Sequence, residues 1–266
     1  VQYGVEYTVT ITGFDSSANQ VALRVPAGLV KDQNNDQNGS NGNKQTDLIV
    51  YNVLKKTNTE TATSGFLGNT SIHREDIDNI TFMNSTAGAN ETKWDVSAQR
   101  DSSILAWYTK NSNVTYKVYI GSDSAIYGNV DSSYLFAYIG YSSTCTTTTN
   151  SIVNIELLNT TNVKNMEGMF KGFGYSKVEA LSLGNNFDTS NVTNMKYMFA
   201  DAGHEIMRSL DFGNNFNTSI VNDMSYMFQN AGYTKLESLI LGDTTDNSPF
   251  NTNRVENMSY MFNNTG

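Results

Sequence analysis

The sequence contains few of the residues that metal sites and nucleophilic catalysis require. Its 266 residues include one cysteine, Cys145, and two histidines, His73 and His204. One cysteine cannot form an internal disulfide or a cysteine-based metal site, and neither histidine lies near it in sequence or belongs to a catalytic motif. The sequence therefore predicts a non-enzymatic protein with no cofactor, no metal and no catalytic residues, and Cys145 is expected to be a tolerated loop residue.

Positive charge and long hydrophobic runs are also scarce. The chain carries 17 Lys and Arg against 26 Asp and Glu, a net charge of −9. Nucleic acids and anionic membrane surfaces attract clustered positive charge, so neither is expected as a partner. No apolar run reaches the roughly 18 residues of a membrane-spanning helix, so direct membrane insertion is not expected. The apolar fraction of 38% is low and suits a thin, well-solvated protein.

The chain begins at Val1, with no signal segment, and stops at Gly266 within a repeat. We expect it to be an internal fragment of a longer protein whose targeting and anchoring segments lie elsewhere.

A repeat dominates the second half of the sequence. Its clearest copy is Asn191-Val-Thr-Asn-Met-Lys-Tyr-Met-Phe199, and Met-Phe pairs begin at positions 169, 198, 227 and 261, in steps of 29, 29 and 34 residues. A glycine follows each phenylalanine by four residues, as it also does after the Leu135-Phe136 pair, so Ser132–Phe136 belongs to the same register. A fixed period of this size indicates an array of stacked units.

Each unit reads as a short strand, a turn, a short helix and a second turn. Leu181 and Leu183 alternate as in a strand, and Thr189 or Ser190 is placed to cap a helix. Val192, Met195 and Phe199 share one helical stripe, which predicts that they are buried, and a glycine four residues later is placed to end the helix. The predicted fold class is an α/β solenoid, a leucine-rich-repeat-like stack of parallel strands and short helices. One unit alone is not expected to fold.

Four regions follow from the patterns along the chain. Residues 1–54 contain three alternating strand candidates, Tyr7–Thr12, Val21–Val25 and Leu48–Val53. Residues 55–75 read as linker or cap, residues 76–150 as degenerate first units with an aromatic cap, and residues 151–266 as regular repeats truncated at the end.

The polar stretch 32–47 lies within the first region. Its residues Asn34, Asp36 and Asn38 have the spacing of a calcium loop, but the first place lacks a carboxylate and the twelfth is Gln45. A plain polar loop is favoured, with calcium binding left open.

The motifs resemble two families of bacterial surface proteins. The strands of residues 1–54 resemble the second half of a bacterial immunoglobulin-like domain. The segment Phe187-Asp-Thr-Ser-Asn-Val-Thr-Asn-Met-Lys-Tyr-Met-Phe199 and its copies resemble BspA-type leucine-rich-repeat surface proteins and the lipoprotein-associated repeats of the same type. The second resemblance covers about residues 76–266. It implies an extracellular protein on the bacterial cell surface that binds proteins or other cell-surface macromolecules.

Two surfaces are candidate binding sites. The first is a column of tyrosines on the repeat, which suit protein recognition but could instead cover the core: Tyr134, Tyr197, Tyr226 and Tyr260. The second is the solvent face of the strands, which could equally be plain solvated surface: Tyr119, Glu156, Ser182, Asp211 and Ile240.

Two further columns read as structural rather than ligand-binding. The column Asn165, Asn194, Asp223 and Asn257 is expected to bond backbone between stacked turns, and the column Thr160, Thr189, Thr218 and Thr252 is expected to cap helices.

The sequence leaves two functions open. The favoured one is a binding or adhesion module that presents its repeat surface to a host or neighbouring-cell macromolecule. The alternative is a stalk or spacer that projects other domains and has no ligand of its own.

Overall fold

The computed structural model describes residues 52–111, 114–146, 152–239, 241 and 250–266, together with the backbone of two short strands nearer the start. The chain divides into two compact units, Val1–Val50 and Tyr51–Gly266. In the first unit, β1 (Gln20–Val21) pairs antiparallel with β2 (Ile49–Val50). The predicted strand Tyr7–Thr12 and the loop of Asn34, Asp36 and Asn38 lie outside the described residues, so the immunoglobulin-like segment and the calcium question stay as predictions.

The second unit is built from short strands. They are β3 (Asn52–Val53), β4 (Gly65–Phe66), β5 (Asn69–His73), β6 (Ile77–Met83), β7 (Trp94–Asp95), β8 (Leu105–Lys110), β9 (Tyr116–Gly121), β10 (Ile126–Tyr127), β11 (Ile152–Val153), β12 (Leu158–Asn159), β13 (Ala180–Ser182), β14 (Ser209–Asp211) and β15 (Ser238–Leu239). Its helical segments, in the part of the chain described, are two 3-10 turns of three residues, Arg74–Asp76 and Ile155–Leu157. No helix there is long enough to cross a membrane.

The segment 55–75, predicted as linker or cap, contains a β-hairpin over residues 65–73. Strands β4 and β5 pair antiparallel, and Phe66 and Ile72 are buried in the core of the second unit.

The largest sheet has the order β11-β6-β9-β8-β7. Strands β11, β6 and β9 run parallel, whereas β8 and β7 pair antiparallel at one edge. Ile80 pairs with Val118 and Phe82 with Ile120, and all four side chains are buried, as expected for residues two apart on one face of a sheet. On the other side of β6, Ile152 of β11 pairs with Ile80.

The later units pair their strands side by side. Strands β13, β14 and β15 form one parallel sheet in which Leu181, Leu210 and Leu239 are direct neighbours. This is the alignment that the repeat predicts for these leucines.

The predicted α/β solenoid is wrong, because the Met-Phe segments contain no α-helix. In the unit around Met195, the backbone is left-handed at Tyr197 (φ 57°), Asp201 (φ 60°) and Gly203 (φ 52°). The equivalent places of the other units are left-handed as well. An α-helix needs an unbroken run of right-handed residues, so three reversals within seven residues exclude it. Thr189 and Gly203 consequently cap no helix.

The backbone N–H groups of a Met-Phe segment donate hydrogen bonds alternately within their own unit and to the next unit. The N–H groups of Met198, Ala200 and Ala202 donate to carbonyls three residues earlier, at 3.0–3.1 Å. The alternate N–H groups donate to the following unit: Tyr197 to Ser225 (3.0 Å), Phe199 to Met227 (2.8 Å) and Asp201 to Gln229 (2.8 Å). A unit on its own would leave these donors and its apolar side chains unpaired, so neighbouring units are required for stability.

The apolar side chains of the segment form the core, as the sequence predicts. Val192, Met195, Met198 and Phe199 are each 0% exposed. The phenylalanines stack along the array: Phe170 on Phe199 with ring centroids 5.4 Å apart, and Phe199 on Phe228 at 5.6 Å. The prediction of these core residues is therefore confirmed, although the helix to which they were assigned is not present.

The threonine column joins units. Thr160, Thr189 and Thr218 are buried, and each hydroxyl donates at 2.8 Å to a carbonyl of the next unit: Asp188, Asn217 and Asn251 respectively. The predicted helix-capping role of this column is wrong, because its hydroxyls donate to carbonyls of the next unit.

The asparagine column forms an isolated parallel bridge from each unit to the next. Its side-chain oxygens accept from backbone within their own turns, as Asn194 does from the Lys196 N–H at 3.0 Å. Between units the contacts join side chains, such as Asn165 Nδ2 to Asp131 Oδ1 at 2.9 Å. The predicted side-chain bonds to neighbouring backbone are thus replaced by backbone bridges and amide–carboxylate contacts.

Gly203 gives a test of the left-handed turns. A Cβ there would lie 2.4 Å from Met207 Cβ, and the residue's φ is 52°. We expect Gly203→Ala to reduce the free energy of unfolding by about 2–4 kcal/mol, from backbone strain plus overpacking. Gly184→Ala is the matched control, because φ is 68° there but the nearest atom is 3.9 Å away; strain alone should cost about 1–2 kcal/mol. Equal losses in urea denaturation would contradict the steric argument.

Candidate binding surface

The predicted tyrosine column occupies one of the left-handed places of the repeat. Tyr134, Tyr197, Tyr226 and Tyr260 have φ between 55° and 60°, and Gly168, which interrupts the column, has φ 57°. Left-handed backbone is strained for bulky residues, so tyrosine at this place must be held by its surroundings. We call these four tyrosines the first aromatic column.

Stacking supplies the contacts that hold the first column. The rings of Tyr197 and Tyr226 stack with centroids 4.7 Å apart, and those of Tyr226 and Tyr260 at 5.1 Å. The ammonium groups of Lys171 and Lys196 lie 4.9 Å and 5.3 Å from the Tyr197 ring centre. Tyr197 and Tyr226 are therefore half-buried against neighbouring units, while Tyr260 is 61% exposed.

Tyr134 lies over the gap that Gly168 leaves. A Cβ at Gly168 would lie 2.7 Å from the Tyr134 ring, so only glycine admits the ring there. The Tyr134 hydroxyl donates to Glu167 Oε1 at 3.4 Å. Burial and then the Glu167 charge raise the pKa of Tyr134 to about 12, so the phenol stays protonated at neutral pH.

A polar column runs beside the first one, four residues further along each unit. It consists of Tyr138, Asp201, Asn230 and Asn264, with Gly172 in the remaining unit. Asn230 Nδ2 donates to Asp201 Oδ1 at 2.8 Å, and Asn264 Nδ2 to Asn230 Oδ1 at 3.2 Å. These side-chain hydrogen bonds thus join the same neighbouring units that the backbone hydrogen bonds join.

A second aromatic column was missed by the sequence reasoning. It consists of Tyr141, Tyr175, His204 and Tyr233, with successive ring centroids 4.6, 4.6 and 4.9 Å apart. The signal is visible in the sequence, because the residue after the repeat glycine is aromatic in each of these units. It was overlooked because that glycine was taken as the end of the unit.

The second column lies among carboxylates. Burial raises the pKa of Tyr141 and Tyr175 above the ordinary tyrosine value, and nearby charges at Asp201 and Glu205 add to the effect; Glu75 contributes at Tyr141. Burial and then Asp201 also raise the pKa of Tyr138. Carboxylate charges therefore act on the second column, whereas Lys171 and Lys196 lie at the first column, together with Glu167.

The structure does not bring the residues of the predicted strand-face surface together. Ser182 and Asp211 are cross-strand neighbours, with Ser182 Oγ donating to Asp211 Oδ2 at 3.0 Å. Tyr119 lies in β9 of a different sheet, stacked on Trp107 at 5.6 Å. Glu156 is exposed in a 3-10 turn, and Ile240 lies outside the described residues.

Three further titratable groups, Cys145, Asp78 and Asp123, lie outside the columns. Cys145 lies in a loop, as predicted, and is buried there, and burial strongly raises the pKa of its thiol, which disfavours the reactive thiolate. Buried Asp78 accepts hydrogen bonds from Asn111, Thr115 and Thr146. A hollow of about 180 Å³ beside Asp123 has that single carboxylate in its lining.

These features define a class: a repeat protein whose turn-built units stack in parallel and carry regular columns of side chains on their surface. A family model described as "Mycoplasma protein of unknown function, DUF285" matches residues 141–265, which include the second column and the regular repeats. No curated protein and no solved structure matches the chain.

Proposed function

We propose that this chain is a binding module of a bacterial cell-surface protein, which presents the surface formed by its side-chain columns to a protein or other macromolecule outside the cell. The supporting observation is the pair of aromatic columns, which the backbone repeat holds at a regular spacing of 4.6–5.1 Å where the rings stack. Tyrosines are enriched in protein interfaces because they offer large contact area at low entropic cost.

Three further points support this proposal. Interunit hydrogen bonds fix the backbone beneath the columns, so little ordering would be needed on binding. The net charge of −9 disfavours nucleic acid as the ligand. The resemblance of the Met-Phe repeat to bacterial surface proteins supports the extracellular location.

A screen of the whole chain against extracellular-matrix and host-surface proteins tests the proposal. We expect a saturable partner whose affinity falls at least tenfold in the variant Tyr197→Gly with Tyr226→Gly. Glycine is chosen because Gly168 already occupies the same left-handed place in another unit. Asn185→Ala with Asn214→Ala, two exposed positions in the same units, is the control and should leave binding unchanged.

The stalk remains the second candidate, and one observation favours it. The ring faces of Tyr197 and Tyr226 are stacked on each other, so the first column contributes to holding the units together as well as covering surface. A stalk predicts no saturable partner across the panel, together with a lower melting temperature for the glycine pair.

A further inference from the structure

The second aromatic column exposes ring edges and hydroxyls more than ring faces. Tyr175 and His204 are nearly coplanar, with an angle of 7° and centroids 4.6 Å apart, and His204 stacks in turn on Tyr233. Sugars and prolines are bound mainly through aromatic faces. Neighbouring rings cover Tyr175 and His204, whereas Tyr233, 48% exposed, has a ring contact only with His204 among the described residues, so the column offers phenol oxygens along its edge and an accessible ring at its end.

The charges of three carboxylates, Glu75, Asp201 and Glu205, act on tyrosines of this column, and within the described residues no lysine or arginine forms an ion pair with any of them. Glu205 and Glu75 are placed by backbone bonds, Glu205 N–H to the Tyr175 carbonyl and Ser142 N–H to the Glu75 carbonyl, both at 3.0 Å. Asp201 lies in the adjacent polar column and accepts only an amide from Asn230. The ion pairs of the described residues involve other side chains.

Two lysines of the surface, Lys171 and Lys196, lie over the Tyr197 ring of the first column, where Glu167 also accepts from the Tyr134 hydroxyl. Neither lysine pairs with Glu75, Asp201 or Glu205, so these carboxylates would attract a cation that approaches the second column.

We propose that the second column, with Glu75, Asp201 and Glu205, binds arginine side chains of an extended segment of a partner protein. The inference rests on the proposed binding function and names the chemistry of its partner. A guanidinium offers five N–H donors in a plane, which suits a row of carboxylate and phenol oxygens, and its weak hydration makes contact with aromatic edges and faces less costly than for lysine.

Peptide titrations of the whole chain test this inference. The probes are acetyl-(Arg-Gly)₃-amide and the same peptide with lysine or citrulline in place of arginine, followed by calorimetry near 0.15 M salt, where the Debye length is about 8 Å. We expect the arginine peptide to bind at least threefold more tightly than the lysine peptide, and the citrulline peptide not to bind.

Two matched pairs of variants locate the site. Glu75→Gln with Glu205→Gln should weaken arginine-peptide binding at least tenfold, whereas Glu91→Gln with Glu256→Gln, which changes the net charge equally, should change it less than twofold. Tyr233→Ala should weaken binding, while Phe262→Ala, which removes a ring of the same 48% exposure outside both columns, should not. Circular dichroism establishes that each variant is folded.

Three results would overturn the inference: equal weakening by both glutamine pairs, equal affinity for arginine and lysine peptides, or no binding at about 1 mM peptide. These outcomes leave the proposed function standing if the protein screen still finds a partner sensitive to the Tyr197 and Tyr226 substitutions. If that screen also fails, the proposed function fails independently of the arginine chemistry.

Discussion

Met195→Asp unfolds the units on both sides of residue 195. The Met195 side chain is 0% exposed in the core that neighbouring units share, and a carboxylate there would have no partner to compensate for its lost hydration. We expect the free energy of unfolding to fall by about 5 kcal/mol or more, a large part of the 5–15 kcal/mol typical of a domain. In thermal denaturation the midpoint should fall by roughly 10–20 °C, if the variant folds at all.

The repeat provides its own control for this substitution. Met258 occupies the same place in the last unit and is 49% exposed. Met258→Asp should therefore lower stability by about 1 kcal/mol or less, as surface substitutions usually do. Hydrogen exchange should show lost protection around residues 163–203 in the first variant only. Similar melting of the two variants would mean that the core register described above is incorrect.

Arg74→Met is expected to have the second-largest effect. The Arg74 side chain is fully buried, and its Nη1 donates to the carbonyls of Tyr134 (2.9 Å), Leu135 (3.1 Å) and Ala137 (3.0 Å). These carbonyls belong to the first Met-Phe-like segment, which precedes the regular repeats. Methionine would remove the Arg74 donor from all three, although the Tyr134 carbonyl still accepts from the Ala137 N–H at 3.2 Å, and it would leave Glu60 without its cation, 3.6 Å from Arg74 Nε.

The expected loss is about 3–5 kcal/mol, measured by urea denaturation. Burial lowers the pKa of Arg74 to about 10, so the guanidinium remains charged at neutral pH and the ion pair persists. Arg208→Met is the control, because Arg208 pairs with Glu237 on the surface with its side chain 52% exposed, and such pairs contribute about 0–1 kcal/mol. Comparable losses for the two arginines would show that the buried contacts do not stabilise the fold.

Sequence reasoning located the columns of side chains more reliably than the backbone that carries them. The Met-Phe period identified Met195 and Phe199 as core, and the alternation of Leu181 and Leu183 identified a strand. Apolar residues at i, i+3 and i+7 are typical of a helix, but a chain of short turns buries the same residues. The distinguishing feature was the set of left-handed residues at Tyr197, Asp201 and Gly203, of which only the glycine is recognisable in sequence.

The candidate surface was predicted in part. The four tyrosines of the first column were identified by their shared repeat position, and the structure does place them in one column. Whether they bind a ligand stays a prediction. The strand-face residues were grouped on the assumption of one continuous sheet, whereas Tyr119 and Ser182 lie in different sheets. The second aromatic column was missed because the repeat glycine was taken as the end of the unit, although the residue after it is aromatic in four units.

The sequence by itself determined the repeat, its period and the apolar side chains of its core, such as Val192, Met195 and Phe199, because these positions face inward in the observed turns as they would in a helix. Only the tertiary structure decided that the units are turns rather than helices. Half of the backbone donors in each Met-Phe segment bond to the next unit, so the conformation of one unit is stabilised by its neighbour, and no local preference in the sequence encodes that contact.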